Sequence, residues 1–130
     1  MTTSFRSAVE AHDPEAFPAL LASDVTFRSP VAFKPYEGRD LVAAILRGAF
    51  RVFEGFRYEQ ELHSEDGRET ALVFRATIGD TEIHGCDFIH TNDDGLIDDF
   101  FVMVRPASAS QAVAVAMAEQ FELIKQELRL

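Results

Sequence analysis

Three turn signals at short intervals in the second half of the sequence constrain the fold more than any other feature. Asp66-Gly67 and Gly79-Asp80 favour tight hairpin turns, and a longer polar turn is centred on Asp94-Gly95. The segments between these turns alternate apolar and polar side chains, as strands with one buried face do. The pattern predicts four consecutive strands in an antiparallel meander, over Arg57–Glu65, Arg68–Gly79, Thr81–Thr91 and Leu96–Arg105.

Helical signals dominate the sequence on either side of this meander. Asp13-Pro14 is a favourable helix start, and the apolar residues between 40 and 54 recur at helical spacing. Helices that flank a one-sided sheet must cover its apolar face, so we expect one cone-shaped α+β domain over residues 1–130. The remaining predicted elements are helices over Ser4–Ala11, Asp13–Ala22 and Asp40–Glu54, a strand over Val25–Ser29, a loop over Val31–Gly38, and a last helix from Ser108 or Ser110.

The acidic composition limits the expected partners and location. The formal net charge is -10 and the basic residues form no cluster, which argues against nucleic acid and anionic membranes as partners. Cys86 is the only cysteine, and Met1–Glu10 lacks the apolar core of a signal peptide. We therefore expect a cytoplasmic protein. No glycine-rich phosphate loop precedes a helix, so no cofactor is expected.

Several short motifs occur in an order that resembles a known superfamily. Ser29-Pro30 precedes Tyr36-Glu37-Gly38-Arg39-Asp40, Gly85-Cys86-Asp87-Phe88 precedes Asp94-Gly95-Leu96-Ile97, and Val102-Met103-Val104-Arg105-Pro106 precedes the last helix. Together they resemble the nuclear-transport-factor-two-like (NTF2-like) superfamily and its bacterial SnoaL-like members. The resemblance implies a curved antiparallel sheet, three N-terminal helices, an extra C-terminal helix and a pocket between them. It implies no particular reaction, because such folds host many chemistries.

Ketosteroid isomerase belongs to this superfamily and needs three polar groups. They are a carboxylate base on the first strand, and a Tyr and a protonated Asp that donate hydrogen bonds to an oxyanion. The resemblance maps these positions onto Ser29, Phe5 and Asp87, so only Asp87 keeps the required group. Ser29 is no base near neutral pH and Phe5 has no hydroxyl, so we expect no ketosteroid isomerase activity.

Asp87 is the candidate catalytic residue, as an acid or hydrogen-bond donor. Alternation places it on the same strand face as Ile83, Gly85 and Ile89. A carboxylate on an apolar face must be paired or protonated, so burial should raise its pKa. A structural role, with a bond to the backbone or to Gln60, is the alternative. The other predicted ligand-binding residues, for whose Phe members plain core packing is the alternative, are Phe5, Phe17, Phe27, Ser29, Tyr36, Phe53, Tyr58, Gln60, Phe74, Phe100 and Val102.

The opposite face of the same strands suggests a second role. Phe88, Phe101 and Met103 should point away from the pocket and form an exposed apolar patch, which predicts a homodimer; coverage of part of this face by the last helix is the alternative. His84 and His90 share this face with Cys86, but one strand cannot complete a tetrahedral metal site, so we expect no metal. Two functions stay open: a pocket that binds or transforms a small apolar molecule, as an isomerase, cyclase or hydrolase would, and a non-catalytic dimeric binding module.

Overall fold

The computed structural model describes residues 4–128. The segment Met1–Glu10, which we expect not to be a signal peptide, therefore lies partly outside the described residues. Four helices and six strands form in the order α1, α2, β1, β2, α3, β3, β4, β5, β6, α4. The helices are α1 (Phe5–Glu10), α2 (Phe17–Leu20), α3 (Arg39–Val52) and α4 (Ala107–Leu128), and the strands are β1 (Leu21–Arg28), β2 (Tyr36–Glu37), β3 (Glu54–His63), β4 (Glu69–Ile78), β5 (Thr81–Thr91) and β6 (Ile97–Arg105).

The strands form one sheet in the order β2-β1-β6-β5-β4-β3. The predicted meander is confirmed, because β3, β4, β5 and β6 pair consecutively and antiparallel. The sheet is nevertheless mixed, since β1 runs parallel to β6, with Phe27 opposite Phe100. The predicted loop also contains β2, which pairs with β1. Because these pairings join segments that are distant in the sequence or very short, the local sequence pattern does not predict them.

The predicted second helix is wrong over much of its length. A 3-10 turn covers Pro14–Ala16, and α2 adds one short turn. Pro18 lies inside the predicted range, where its missing N–H removes a helical hydrogen bond. The chain then enters β1 at Leu21, four residues before the predicted strand. By contrast, α1 begins as expected, because Ser4 and Ser7 form a reciprocal capping box.

The helices lie on one face of the sheet, as the α+β prediction required. α3 packs against α4 and β1, while α4 also contacts β5 and β6. Buried side chains from both layers form the core, and the largest of them include Phe17, Phe74 and Phe100. The core has two clusters, and Tyr58, Val102 and Met117 pack against both.

The last helix is long but amphipathic. Val113 and Ile124 are buried on one side of α4, whereas Val115 and Leu123 are exposed on the other. This one-sided burial agrees with the apolar stripe in its sequence. None of the helices within residues 4–128 is long and apolar enough to cross a membrane.

Candidate functional site

A cavity of about 800 Å³ lies between the helices and the inner face of the sheet. This volume is within the ~300–1,000 Å³ that small-molecule sites usually occupy. Eleven residues that the sequence predicted for the site lie at its wall; ten are Phe5, Phe17, Phe27, Ser29, Tyr36, Phe53, Tyr58, Phe74, Phe100 and Val102, and the eleventh is Asp87. Their part in binding stays a prediction, while their placement gives the cavity a mainly apolar wall that is rich in aromatic side chains.

Sequence reasoning missed the helical part of the wall. α3 and α4 contribute apolar side chains, and the exposed residues Glu10, His12 and Arg57 mark the side that opens to solvent. The helical periodicity of α3 and α4 could have indicated their apolar members. The missed apolar lining residues, in the helices, in the loop after β1 and in β3, are Val9, Pro30, Val31, Ala32, Ile45, Leu46, Ala49, Phe56, Val113, Ala114, Met117, Ala118 and Phe121.

Asp87 is the one buried charged or polar side chain of the core within residues 4–128. Its neighbours across the sheet are apolar: it lies opposite Leu72 on β4 and opposite Val102 on β6. Burial without a cationic partner raises the pKa of Asp87 to about 8, and the influence of Tyr58 acts in the opposite direction. Near neutral pH Asp87 is therefore mostly a neutral carboxylic acid, and a carboxylic acid can donate a hydrogen bond.

Tyr58 is the second polar group at this end of the cavity. It reaches the wall from β3, and its hydroxyl is buried with no hydrogen-bond partner among the described residues. Burial, followed by the nearby Asp87 carboxylate, raises the pKa of Tyr58 well above its usual range. The two side chains influence each other's protonation, yet no hydrogen bond of normal geometry joins them. Both are left available to a third partner.

The predicted pocket position of Gln60 is wrong, and a β-bulge explains the error. Tyr58 pairs with Phe74 while Gln60 pairs with Val73, so Glu59 is an extra residue in β3. An extra residue reverses the alternation of side chains beyond it. Gln60 is consequently exposed and absent from the cavity wall, so it cannot serve as the buried partner of Asp87.

The positions that ketosteroid isomerase would use for a base and a Tyr serve other purposes here. Ser29 lies at the cavity wall, but its Oγ accepts hydrogen bonds from the N–H groups of Val31 (3.2 Å) and Ala32 (2.8 Å). Its hydroxyl thus closes a local turn. Phe5 stacks on Phe17 at 5.2 Å and meets Phe100 edge-on at 4.9 Å. It forms apolar wall and supplies no donor.

The outer face of β5 and β6 agrees with the predicted alternation. Phe88 and Phe101 stack with their ring centroids 4.6 Å apart, and Met103 is 59% exposed. His90 binds Asp98 on the same face at 2.5 Å, and this contact raises the pKa of His90. No group of three or more His, Cys, Asp or Glu residues in the described part of the chain could hold a metal ion.

Family comparison agrees with this architecture. The sequence profile of the SnoaL-like domain matches residues 2–100. The chain belongs to the SnoaL-like family. This SnoaL-like protein has no match among proteins with curated descriptions.

Solved structures resemble the SnoaL-like chain closely. A steroid delta-isomerase from Pseudomonas aeruginosa is 42% identical with a TM-score of 0.88, over 91% of this chain and 86% of the other. A protein of uncharacterised role with a cystatin-like fold, from Silicibacter pomeroyi, is 36% identical with a TM-score of 0.85, over 93% and 84% of the two chains. An NTF2-like protein of unknown function from Mesorhizobium loti shares the fold alone, at 19% identity, a TM-score of 0.69 and coverage of 78% and 85%.

Proposed function

We propose that this SnoaL-like protein binds a small, mainly apolar molecule that carries an oxygen atom, and that Asp87 and Tyr58 both donate hydrogen bonds to that oxygen. One observation carries the proposal. A neutral carboxylic acid and a hydroxyl without a partner lie together at the wall of an aromatic cavity of about 800 Å³. Two donors aimed at one oxygen withdraw electron density from the carbon attached to it, as donors for an oxyanion do.

The chemistry of the cavity wall supports an uncharged, ring-containing ligand. Apolar side chains, many of them aromatic, form most of its wall, and a charge of the ligand buried beside Asp87 would find no cation there. A carbonyl or epoxide oxygen suits two donors because it has two lone pairs. The name of the Pseudomonas aeruginosa relative, a steroid delta-isomerase, supports a cyclic substrate of this kind.

The reaction that we propose differs from isomerisation driven by a carboxylate base. Ser29 occupies the position that would carry the base, and its hydroxyl is engaged with the turn at Val31 and Ala32. Polarisation of an oxygen assists isomerisation, cyclisation and hydrolysis alike. We therefore propose acid-assisted activation of a substrate oxygen, within those three classes, as the function of the pocket.

A matched pair of probes tests whether the site recognises an oxygen. The ketone 1-tetralone and the hydrocarbon tetralin share one bicyclic skeleton, and equilibrium dialysis gives a Kd for each. We expect wild-type protein to bind 1-tetralone more tightly than tetralin at pH 6. As the pH rises through about 8, the affinity for 1-tetralone should fall, because ionised Asp87 no longer donates and repels the carbonyl oxygen.

Substitutions at the two donors complete this test. Tyr58→Phe should raise the Kd of 1-tetralone about tenfold and leave the Kd of tetralin unchanged. A tenfold change corresponds to the loss of one hydrogen bond of about 1.4 kcal/mol. Asp87→Asn should remove the pH dependence of 1-tetralone binding. Asp99→Asn is the control, since it removes an exposed carboxylate of the outer face. Equal affinity for ketone and hydrocarbon in wild type would exclude the proposed function.

The outer face supports a second candidate role, a homodimeric assembly. Phe88 and Phe101 form a flat stacked surface with Met103 exposed beside it. Paired charges flank it, including Arg28 with Asp99 at 2.6 Å. An apolar centre with a polar rim is the usual arrangement of a protein interface. We propose that a second copy of the chain covers this face, which leaves the cavity on the other side of the sheet free.

A further inference from the structure

A polar cluster beneath the cavity connects α1 to the meander. Arg6 on α1 binds Glu61 on β3 at 3.0 Å and Glu10 one turn along α1 at 3.3 Å. The guanidinium carbon of Arg6 also lies 5.4 Å from the centre of the Tyr58 ring. One side chain therefore contacts two carboxylates and the ring of a proposed donor.

Glu61 is available to Arg6 only because of the bulge at Glu59. The extra residue turns Glu61 toward the inner side, opposite the buried Leu72, where regular alternation would have placed Gln60. His63 binds the second oxygen of Glu61 at 2.5 Å and contacts Thr70 at 3.0 Å. These contacts lower the pKa of Glu61, through His63 first and Arg6 second, so Glu61 stays ionised as the anchor of Arg6.

The position of the Tyr58 ring decides where its hydroxyl points. β3 is the edge strand of the sheet, and β4 separates it from the strand that carries Asp87. No hydrogen bond of normal geometry holds the Tyr58 hydroxyl, so the contacts of its ring are important for its orientation. Phe56 meets the ring edge-on at 5.0 Å, and Arg6 lies over it. A guanidinium over an aromatic face attracts the ring and stacks on it.

We propose that Arg6 is a positioning residue for the oxygen-binding end of the cavity, where it holds the Tyr58 ring so that the hydroxyl stays beside Asp87. This inference rests on the proposed function of Tyr58 and Asp87. Glu10 and Glu61 fix the guanidinium, and the guanidinium fixes the ring. Its positive charge also favours donation by the hydroxyl, because it opposes the negative field of the nearby carboxylates.

A double-mutant cycle with the probe pair tests this role. Arg6→Met should raise the Kd of 1-tetralone about tenfold. It should change the Kd of tetralin less than twofold, because Met keeps the aliphatic part of the side chain. Arg6→Lys should recover part of the loss, because it restores the charge without the planar stacking group. In a Tyr58→Phe background, Arg6→Met should have no further effect on 1-tetralone, since the group that it positions is gone.

Two more variants keep this test decisive. Arg75→Met is the matched control, because Arg75 pairs with Glu59 at 3.1 Å away from the cavity wall, and it should leave both affinities unchanged. Glu61→Gln frees one anchor of Arg6 and should give a smaller, ketone-selective loss even if Arg6→Met fails to fold.

Each remaining outcome has one meaning. Parallel losses for ketone and hydrocarbon, or additive effects of Arg6→Met and Tyr58→Phe, would overturn the positioning role. If Tyr58→Phe weakens the ketone and Arg6→Met does not, only this inference fails. If Tyr58→Phe binds the ketone as wild type does and Asp87→Asn keeps the pH dependence of wild type, the proposed function itself fails.

Discussion

Asp87→Asn should make the folded protein more stable near neutral pH, although it alters the central residue of the proposed site. Asn has nearly the shape of Asp and cannot ionise, so the substitution removes only the cost of a buried charge. The pKa of Asp87 is raised from its ordinary 3.8 to about 8 because the side chain is buried. The folded state therefore keeps the proton over a pH range in which the unfolded chain has lost it.

The sign and size of the effect follow from this difference. Stability from protonated Asp87 is fully present below about pH 4, the unfolded value, and is lost as the pH rises through the folded value near 8. Each pH unit in this window is worth about 1.4 kcal/mol of unfolding free energy. Between pH 5 and 7 the wild type should therefore lose about 3 kcal/mol relative to Asp87→Asn, a large part of the ~5–15 kcal/mol that stabilises a typical domain.

Urea unfolding followed by far-UV circular dichroism measures this difference. Both proteins are unfolded at pH 5, 6, 7 and 8, and the difference in unfolding free energy is plotted against pH, so that the contributions of the other titrating groups cancel. We expect a slope of about 1.4 kcal/mol per pH unit in favour of the variant between pH 5 and 7, which falls to about half that value at pH 8, where the folded Asp87 is half ionised. A difference that stays constant with pH would mean that Asp87 is ionised and paired in the fold, and the donor role would have to be abandoned.

Two other predictions concern packing and assembly. Gly85→Ala should lower the melting temperature, with about 1–3 kcal/mol of destabilisation, because an added Cβ would lie 2.8 Å from Phe74 Cε2 and 2.9 Å from the carbonyl oxygen of Met103. Gly48→Ala is its control, since the nearest atoms there are side-chain atoms at 3.3 Å or more, and equal melting temperatures for the two variants would refute the packing argument. Sedimentation at micromolar concentration should give twice the 14.5 kDa chain mass, and Met103→Glu, at the edge of the Phe88 surface, should give the single-chain mass. A wild-type monomer would rule out the dimer.

The sequence was most informative within single regular elements. Alternation along β5 correctly separated Asp87, on the inner face, from Phe88, on the outer face. The helical spacing of apolar residues in α4 likewise agrees with its one-sided burial, which includes Val113 and Ile124. Both inferences need only the fixed geometry of one element, in which neighbouring side chains have constant directions.

The sequence was least informative where an element is interrupted. The helix that the capping signals at Asp13 suggested is reduced to a 3-10 turn and a short α2 that contains Pro18, and the extra residue Glu59 exchanged the faces of Gln60 and Glu61. A bulge has no reliable local signature, because any residue type can occupy it and its position is set by the pairing of both strands.

The amino-acid sequence by itself determined the meander, the helices that flank it, the family and the inward direction of Asp87, because local periodicity, turn chemistry and short motifs encode them. Only the tertiary structure decided that β1 joins β6 in parallel, that the Tyr58 hydroxyl lies near Asp87 without a partner of its own, and that Arg6 meets Glu61 and the Tyr58 ring. These contacts join residues between 29 and 76 positions apart, on strands and helices that local sequence patterns cannot align with one another. Their distances are fixed by strand register, by one bulge and by the packing of α1 on the sheet, so the chemistry of the site exists only once the whole domain has folded.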